Sequence, residues 1–235
     1  MSISVIYPAY NEEQNIVPTI ERSIAALLSI TDDFEIIIVN DASRDNTAEL
    51  ADDLAERHPQ IRVIHQSRNM GQGVGIITGF RAATKDLLIH NGVDYPFDLS
   101  DLKLMLPALS NADVVVGVRK GRPGYTLYRT LLSIATVRLM HLFFDVRLRD
   151  YSFVQLYRGK IWQEIEVDAR STGFFIPEAL IRAHDLGYRL AQVDIEYHAR
   201  IHGMATAGKL SVVARSLVDL LSFWSKRLRG KTPRG

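Results

Sequence analysis

Short apolar runs alternate with amphipathic stretches through the first half of the chain. Residues 3–7 form a β-rich run closed by Pro8, and residues 35–39 form a continuous apolar run of the kind found in strands covered on both faces. Residues 61–64, 87–90 and 113–118 repeat that pattern. Between them, residues 16–28, 47–57 and 74–83 carry apolar side chains at helical spacing. Strands and helices alternating at this interval predict right-handed crossovers and a mainly parallel sheet. The second half changes character. Residues 125–144 read as a long Leu-rich helix with Arg129 and Arg138 embedded, residues 174–186 as another helix and residues 190–197 as a strand. Residues 211–228 read as an amphipathic helix, with Val212, Leu217, Leu220, Leu221 and Trp224 on one broad face. No linker, low-complexity stretch or repeat interrupts the chain. The expected organisation is one domain over 1–210, with 211–235 as a C-terminal amphipathic helix and basic tail that either joins that domain or associates with a membrane.

Composition narrows the function classes. A length of 235 residues suffices for one substantial domain, and 47% hydrophobic with 23% charged residues is ordinary for a soluble protein. The net charge of +1 supplies no global field that favours nucleic acid. The absence of cysteine excludes a disulfide scaffold, a zinc-thiolate site and thiol catalysis, and fits a reducing, cytoplasmic setting. Residues 1–8 read as a strand rather than a signal peptide. No segment reaches the roughly 18 uninterrupted apolar residues of a spanning helix; residues 131–144 come nearest and are broken by Arg138 and His141. The tail Lys226, Arg227, Arg229, Lys231 and Arg234 carries no acid. It is either a solvated terminus or a contact with anionic headgroups, where each basic residue contributes about 1 kcal/mol.

Ligands of doubly wound sheets bind beyond the carboxyl ends of the strands. Three polar segments arrive there: Pro8-Ala9-Tyr10-Asn11-Glu12, then Asn40-Asp41-Ala42-Ser43-Arg44-Asp45-Asn46-Thr47, then Gly92-Val93-Asp94. Planar acceptors such as Asp41 suit ring N–H groups and sugar hydroxyls, and an acid at a strand end inside a cleft needs a partner. Asp45 and Thr47 read instead as turn formers and helix caps. Gly71-Gln72-Gly73-Val74-Gly75 opens a helix and has two readings: backbone amides approaching an anion, or a tight turn with close helix packing.

These segments, with Asn69-Met70-Gly71-Gln72-Gly73, resemble family 2 glycosyltransferases of the GT-A fold. The nearest branch is that of dolichol-phosphate mannose synthase and the polyprenyl-phosphate glycosyltransferases. The likeness continues through Gly117-Val118-Arg119, Arg129 and Ser133, a shortened element at Asp150 with Tyr157-Arg158, and Arg200-Ile201-His202-Gly203. It implies an α/β, Rossmann-like, mainly parallel sheet flanked by helices, with the C-terminal amphipathic helix added. It also implies an inverting hexosyltransferase that moves a sugar from GDP-mannose or a UDP-sugar to a polyprenyl or dolichyl phosphate.

Site roles follow from the resemblance. Pro8, Tyr10, Asn11, Glu12, Asp41, Ser43, Gly71, Gln72, Val93 and Asp94 would bind the nucleotide sugar, with Arg200 and Lys209 neutralising its diphosphate. Arg119, Arg129 and Ser133 would grip the acceptor phosphate, because guanidinium forks suit phosphate. Asp94, Arg119 and Arg129 form the catalytic set. Two departures stand out. The Asp-x-Asp metal motif reads Gly92-Val93-Asp94, which leaves Asp94 to hold Mg or Mn, with His90, Asn91 or Asp98 as helpers. Met204 to Gly208 also intervene before Lys209. A lipid acceptor implies peripheral contact with the cytoplasmic face of a membrane. Two further readings use the same motifs: a family 2 transferase acting on a soluble or glycan hydroxyl, and a nucleotide-sugar-binding protein that has lost catalysis with the first metal aspartate.

Overall fold

Ile and Val dominate β1 (Ile3–Ala9) and β2 (Phe34–Asn40), and β-branched side chains fit a pleated surface buried on both sides. In the computed structural model, which describes residues 1–121, 126–169, 171, 173–197 and 210–230, these two strands lie side by side in one seven-stranded sheet. The elements follow as β1, α1 (Ile16–Leu28), β2, α2 (Thr47–Arg57), β3 (Ile61–His65), α3 (Gln72–Ala82), β4 (Leu87–His90) and α4 (Leu102–Met105). Then come β5 (Val114–Lys120), α5 (Leu127–Phe143), β6 (Val154–Arg158), α6 (Ile161–Glu164), α7 (Phe175–Asp185), β7 (Leu190–Glu196) and α8 (Leu210–Leu228). The strand order is β3-β2-β1-β4-β6-β5-β7. The neighbouring pairs of β1, β2, β3 and β4 are parallel, as is β5 with β7, whereas β6 lies antiparallel between β4 and β5. The mainly parallel α/β architecture expected from the alternation of runs is therefore present.

Side chains alternate between two cores. Ile36 and Ile38 of β2 face a cluster that includes Ile20 of α1, Leu54 of α2 and Leu102 of α4. Ile37 and Val39 face the other, with Phe80 of α3, Met140 of α5, Phe175 of α7 and Phe223 of α8. Two glycines of α3 set its distance from β1. A Cβ on Gly79 would lie 2.3 Å from Ile6 Cγ2, and one on Gly75 would lie 3.2 Å from Pro8 Cβ.

Helices α5 and α8 each keep an apolar face in solvent. Leu127, Tyr128, Leu131, Ile134 and Leu142 on α5, and Leu210, Leu217, Val218, Leu221 and Leu228 on α8, make up ten of the fifteen large apolar side chains exposed among the described residues. The inner sides of the two helices meet through Phe143 with Trp224 and Phe144 with Phe223, whose ring centroids are 5.1 and 5.7 Å apart. Helix α5 contains no acid. The one acid of α8, Asp219, turns inward and accepts the Ser171 amide at 3.1 Å. Arg138, Arg215, Lys226 and Arg229 are exposed. Among the described residues no helix is long and apolar enough to cross a membrane.

Candidate donor and acceptor site

Strand order reverses at β1, which has β2 on one side and β4 on the other. The crevice beyond the carboxyl ends at such a point is where sheets of this kind bind ligands. The loops after β1, β2 and β4 converge there, and each contains a non-glycine residue at positive φ: Asn11 at 55°, Ala42 at 56° and Tyr95 at 52°. Left-handed backbone is costly for such residues and gathers at functional sites.

Hydrogen bonds stitch the first two loops together. The Asn11 amide donates to Ser43 Oγ at 3.0 Å, and the Arg44 amide donates to Asn11 Oδ1 at 2.8 Å. The Glu12 amide donates to Thr47 Oγ1 at 2.8 Å, and Thr47 Oγ1 donates to Asp45 Oδ1 at 2.6 Å. Asp45, which also accepts the Glu13 amide at 3.3 Å, and Thr47 thus tie the turn before α2 to the loop after β1, and neither is the N-cap of that helix, which is Asn46. Tyr10 is left 40% exposed beside them. Pro8 lies within β1, paired with Val39.

Asp41 is buried and spans the loop before α3. Its two oxygens accept the Met70 and Gly71 amides at 2.6 and 2.8 Å. Gly71 adopts φ +89°, so a glycine satisfies the turn that brings its amide to the carboxylate. Of the two readings of the glycine-rich stretch, close packing is realised at Gly75, which meets β1. Gln72 begins α3 and is exposed.

The β4 loop closes as a tight turn, with the Tyr95 amide on the Gly92 carbonyl at 2.9 Å. A Cβ on Gly92 would lie 2.3 Å from Asp94 Oδ1, so the missing side chain is what lets the Asp94 carboxylate fold over this position. Val93 is buried in the core, and its carbonyl accepts Thr19 Oγ1 of α1 at 2.6 Å. Asn91 donates to the Phe97 carbonyl at 2.8 Å and accepts the Gly92 amide at 3.0 Å. Asp98 accepts Arg22 Nη2 at 2.6 Å and the Ser100 amide at 2.9 Å. Burial pushes the Asp98 carboxyl up, but the Ser100 amide and hydroxyl and the Arg22 guanidinium outweigh it and hold the group below its usual range. Asn91 and Asp98 are therefore committed to holding the loop, and Asp94 is the carboxylate presented at the turn. Among the described residues no three His, Cys, Asp or Glu side chains converge as a metal-binding group. One carboxylate with diphosphate oxygens and water is a donor set that Mg or Mn accepts, so the residues present fit a cation bridged to its substrate.

On the acceptor side, Arg119 leaves β5 and meets Asp150 in a bidentate pair, with Nε and Nη2 at 2.6 and 2.8 Å from the two oxygens. Nη2 also lies 3.2 Å from Ser152 Oγ. Arg129 and Ser133 are both half-buried, one helical turn apart on α5. Thr126 caps that helix by accepting the Arg129 amide at 3.3 Å. Arg200 and Lys209 lie outside the described residues. Glu178 is fully buried in α7 and accepts the Asp168 and Ala169 amides at 3.0 and 2.7 Å, which gives it a structural role.

Two further residues stand at the same end of the sheet: His90, which the sequence offered only as a helper for a cation, and Gln155, which no motif marks. His90 closes β4, and Gln155 lies in the neighbouring β6. His90 Nδ1 and both side-chain polar atoms of Gln155 are buried without a hydrogen-bond partner. Burial drives the His90 pKa down to about 4, so the ring is neutral at physiological pH. The apolar strand pattern hides Gln155 from a reading of the sequence.

Comparisons with known proteins agree with this arrangement. Over 226 residues the chain is 30% identical to a dodecaprenyl-phosphate galacturonate synthase of Rhizobium johnstonii, covering 94% of this chain and 66% of the relative. It is 31% identical over 227 residues to an undecaprenyl-phosphate 4-deoxy-4-formamido-L-arabinose transferase of Pectobacterium carotovorum, covering 94% and 67%. The chain thus spans about two thirds of the length of these relatives. A glucosyl-3-phosphoglycerate synthase from Mycobacterium tuberculosis, solved with Mn2+, UDP-glucose and phosphoglyceric acid, superimposes with a TM-score of 0.72 at 20% identity, covering 95% of this chain and 80% of that one. A mannosyltransferase from Pyrobaculum calidifontis, solved with GDP-Man and Mn2+, gives 0.67 at 18%, covering 97% and 64%. These likenesses establish the GT-A fold. The glycosyl transferase family 2 profile matches residues 4–168, from the first strand into the segment after α6, and with the three converging loops this shows that the chain belongs to glycosyl transferase family 2.

Proposed function

We propose that the chain moves a sugar from a nucleoside diphosphate sugar, GDP-mannose or a UDP-sugar, to a polyprenyl phosphate at the cytoplasmic surface of a membrane. The observation that carries the lipid acceptor is the pair of exposed apolar faces on α5 and α8, with Arg138 within the α5 face and Arg215 and Arg229 exposed on or just beyond α8, beside Lys226, which is paired with Asp168 at 2.8 Å. Apolar side chains with basic neighbours suit an anionic interface, whereas a soluble acceptor requires no such surface. The named relatives act on dodecaprenyl and undecaprenyl phosphates, which points the same way.

In this reading the loops after β1 and β2 hold the nucleotide. Asp41 keeps the Gly71 loop closed beside it. A lipid phosphate is already an anionic nucleophile, so the protein need only position and desolvate it for a single displacement with inversion. Arg129 and Ser133, on the helix that carries one of the apolar faces, receive that phosphate. Arg119, fixed by Asp150, shapes the acceptor side. Asp94 would hold a divalent cation, which supplies charge neutralisation for the leaving diphosphate. Arg200 and Lys209 are assigned to the same diphosphate.

The test is to incubate the protein with labelled nucleotide sugars, manganese and either a polyprenyl phosphate or soluble sugar acceptors. Label should enter the organic phase only with the lipid. Transfer to a soluble hydroxyl alone would replace the lipid reading. Donor binding without turnover would mark a non-catalytic nucleotide-sugar-binding protein.

A further inference from the structure

We propose that His90 and Gln155 form a hydroxyl-reading pair beneath the transferred sugar and set which sugar the site accepts. This rests on the reading of the chain as a sugar transferase. The register of β4 with β6 pairs Leu87 with Arg158, Leu88 with Tyr157 and Ile89 with Leu156, so the next pair is His90 with Gln155. Directly opposed residues of an antiparallel pair point to the same face, with Cβ atoms about 5 Å apart. That face is the one holding Leu88, Val116 and Tyr157. Because β6 runs antiparallel, Gln155 lies at the carboxyl end of β4, the end from which Asp94 emerges.

Gln155 is fully buried and His90 is 8% exposed, yet His90 Nδ1, Gln155 Oε1 and Gln155 Nε2 have no partner. Buried polar groups are nearly always paired, so three orphans grouped at the carboxyl end of β4 point to a ligand group that completes them; the fourth orphan of these two strands, Tyr157 Oη, lies one pair of the same face further from that end. The ring of His90 is enclosed by aromatic side chains from two helices: Phe80 of α3 and Phe175, the first residue of α7, with centroids 6.0 and 6.5 Å away. The chemistry defines the ligand. A neutral imidazole offers one donor and one acceptor, and a carboxamide offers donors and an acceptor together. Vicinal hydroxyls, which donate and accept at once, match that set. A diphosphate only accepts and leaves Gln155 Oε1 without a donor.

His90→Phe and Gln155→Leu remove the polar atoms at nearly constant volume. With each variant, the melting temperature, the affinity for free UDP and GDP, and kcat and KM for UDP-glucose, UDP-galactose and GDP-mannose would be measured. The expected result is a melting temperature equal to or above that of the parent and unchanged nucleotide affinity. With these, kcat/KM for the preferred donor falls about tenfold or more and the ratio between epimeric donors narrows, as happens when a site built to pair a hydroxyl loses its partner. Unchanged kinetics and an unchanged epimer ratio would overturn the proposal and leave an enclosed water as the partner of these atoms. If either apolar variant fails to fold, Gln155→Asn keeps the amide, shortens its reach and must alter the epimer ratio; if it does not, the pair reads no sugar. A parent protein that binds no nucleotide sugar sinks the transferase reading itself. A parent that transfers sugar with variants indistinguishable from it sinks this pair alone.

Discussion

Arg119 and Asp150 form a bidentate ion pair 2.6 and 2.8 Å long, with side chains only 8% and 3% exposed. A buried pair of this geometry is hard to break from one side. Asp150→Ala strands a buried guanidinium and should lower unfolding stability in urea by about 3–5 kcal/mol. The double variant Arg119→Met, Asp150→Leu should recover most of that loss. If Asp150→Ala melts like the parent, the pair does not hold β5 to the segment before β6.

Asp41 tests the donor side. Asp41→Asn keeps the shape but replaces one acceptor oxygen with a donor, so one of the Met70 and Gly71 amides loses its partner. With the loop before α3 loosened, UDP and GDP should bind about tenfold more weakly by calorimetry, a loss of about 1.4 kcal/mol. Equal affinity would mean that the loop is not part of the nucleotide site.

The parallel strands were legible because each is a short apolar run between turn residues. β6 was not. Gln155 interrupts its apolar run, and a five-residue strand inserted antiparallel between β4 and β5 leaves no period to detect. The Pro8 to Glu12 and Asp41 segments were visible as polar residues at strand ends. The partners of Asp41 were not, because Met70 and Gly71 contribute backbone amides that no side-chain pattern records. Arg22 was likewise silent: it lies 76 residues from Asp98, and only the fold brings them together.

Glu35 gives the fold an acid-sensitive element away from the site. It accepts Ser4 Oγ at 2.7 Å, the Thr84 amide at 2.6 Å and Arg62 Nη1 at 3.0 Å. Burial pushes its carboxyl up, but the Thr84 amide, the Ser4 and Thr84 hydroxyls and Arg62 outweigh it and hold the pKa below its usual 4.5. The contribution is therefore complete above about pH 4.5 and is lost as pH falls through the folded value. Glu35→Gln should cost about 2 kcal/mol at pH 7 and progressively less toward pH 3. A gap between parent and variant that does not shrink on acidification would count against this carboxylate.

The apolar faces of α5 and α8 make a prediction independent of turnover. Leu131→Glu and Leu221→Glu place acids on solvent-exposed positions, so melting temperatures should hold. Co-flotation with vesicles containing anionic lipid should drop sharply for both, and neutral vesicles should bind the parent less well than anionic ones. If the parent floats with neither vesicle, or if the parent is a dimer that the two variants disrupt, the faces pair copies of this chain instead.

Gly92 is the sharpest test of the altered metal motif. Restoring an acid by Gly92→Asp looks like a gain of one ligand. The geometry says otherwise, because the new Cβ would lie 2.3 Å from Asp94 Oδ1. That atom is the end of a side chain and can swing away, but the Cβ would also lie 3.2 Å from Pro96 Cδ, so the turn itself must give by a few tenths of an ångström. Stability should fall by about 1 kcal/mol, short of unfolding. Manganese-dependent transfer should fall, since the new acid displaces the carboxylate assigned to the cation. Gly92→Ala separates steric from charge effects: it should reduce transfer as well, without adding any acid. Higher activity in Gly92→Asp at saturating manganese would show that the two carboxylates can share the turn and that Asp94 does not depend on the missing side chain.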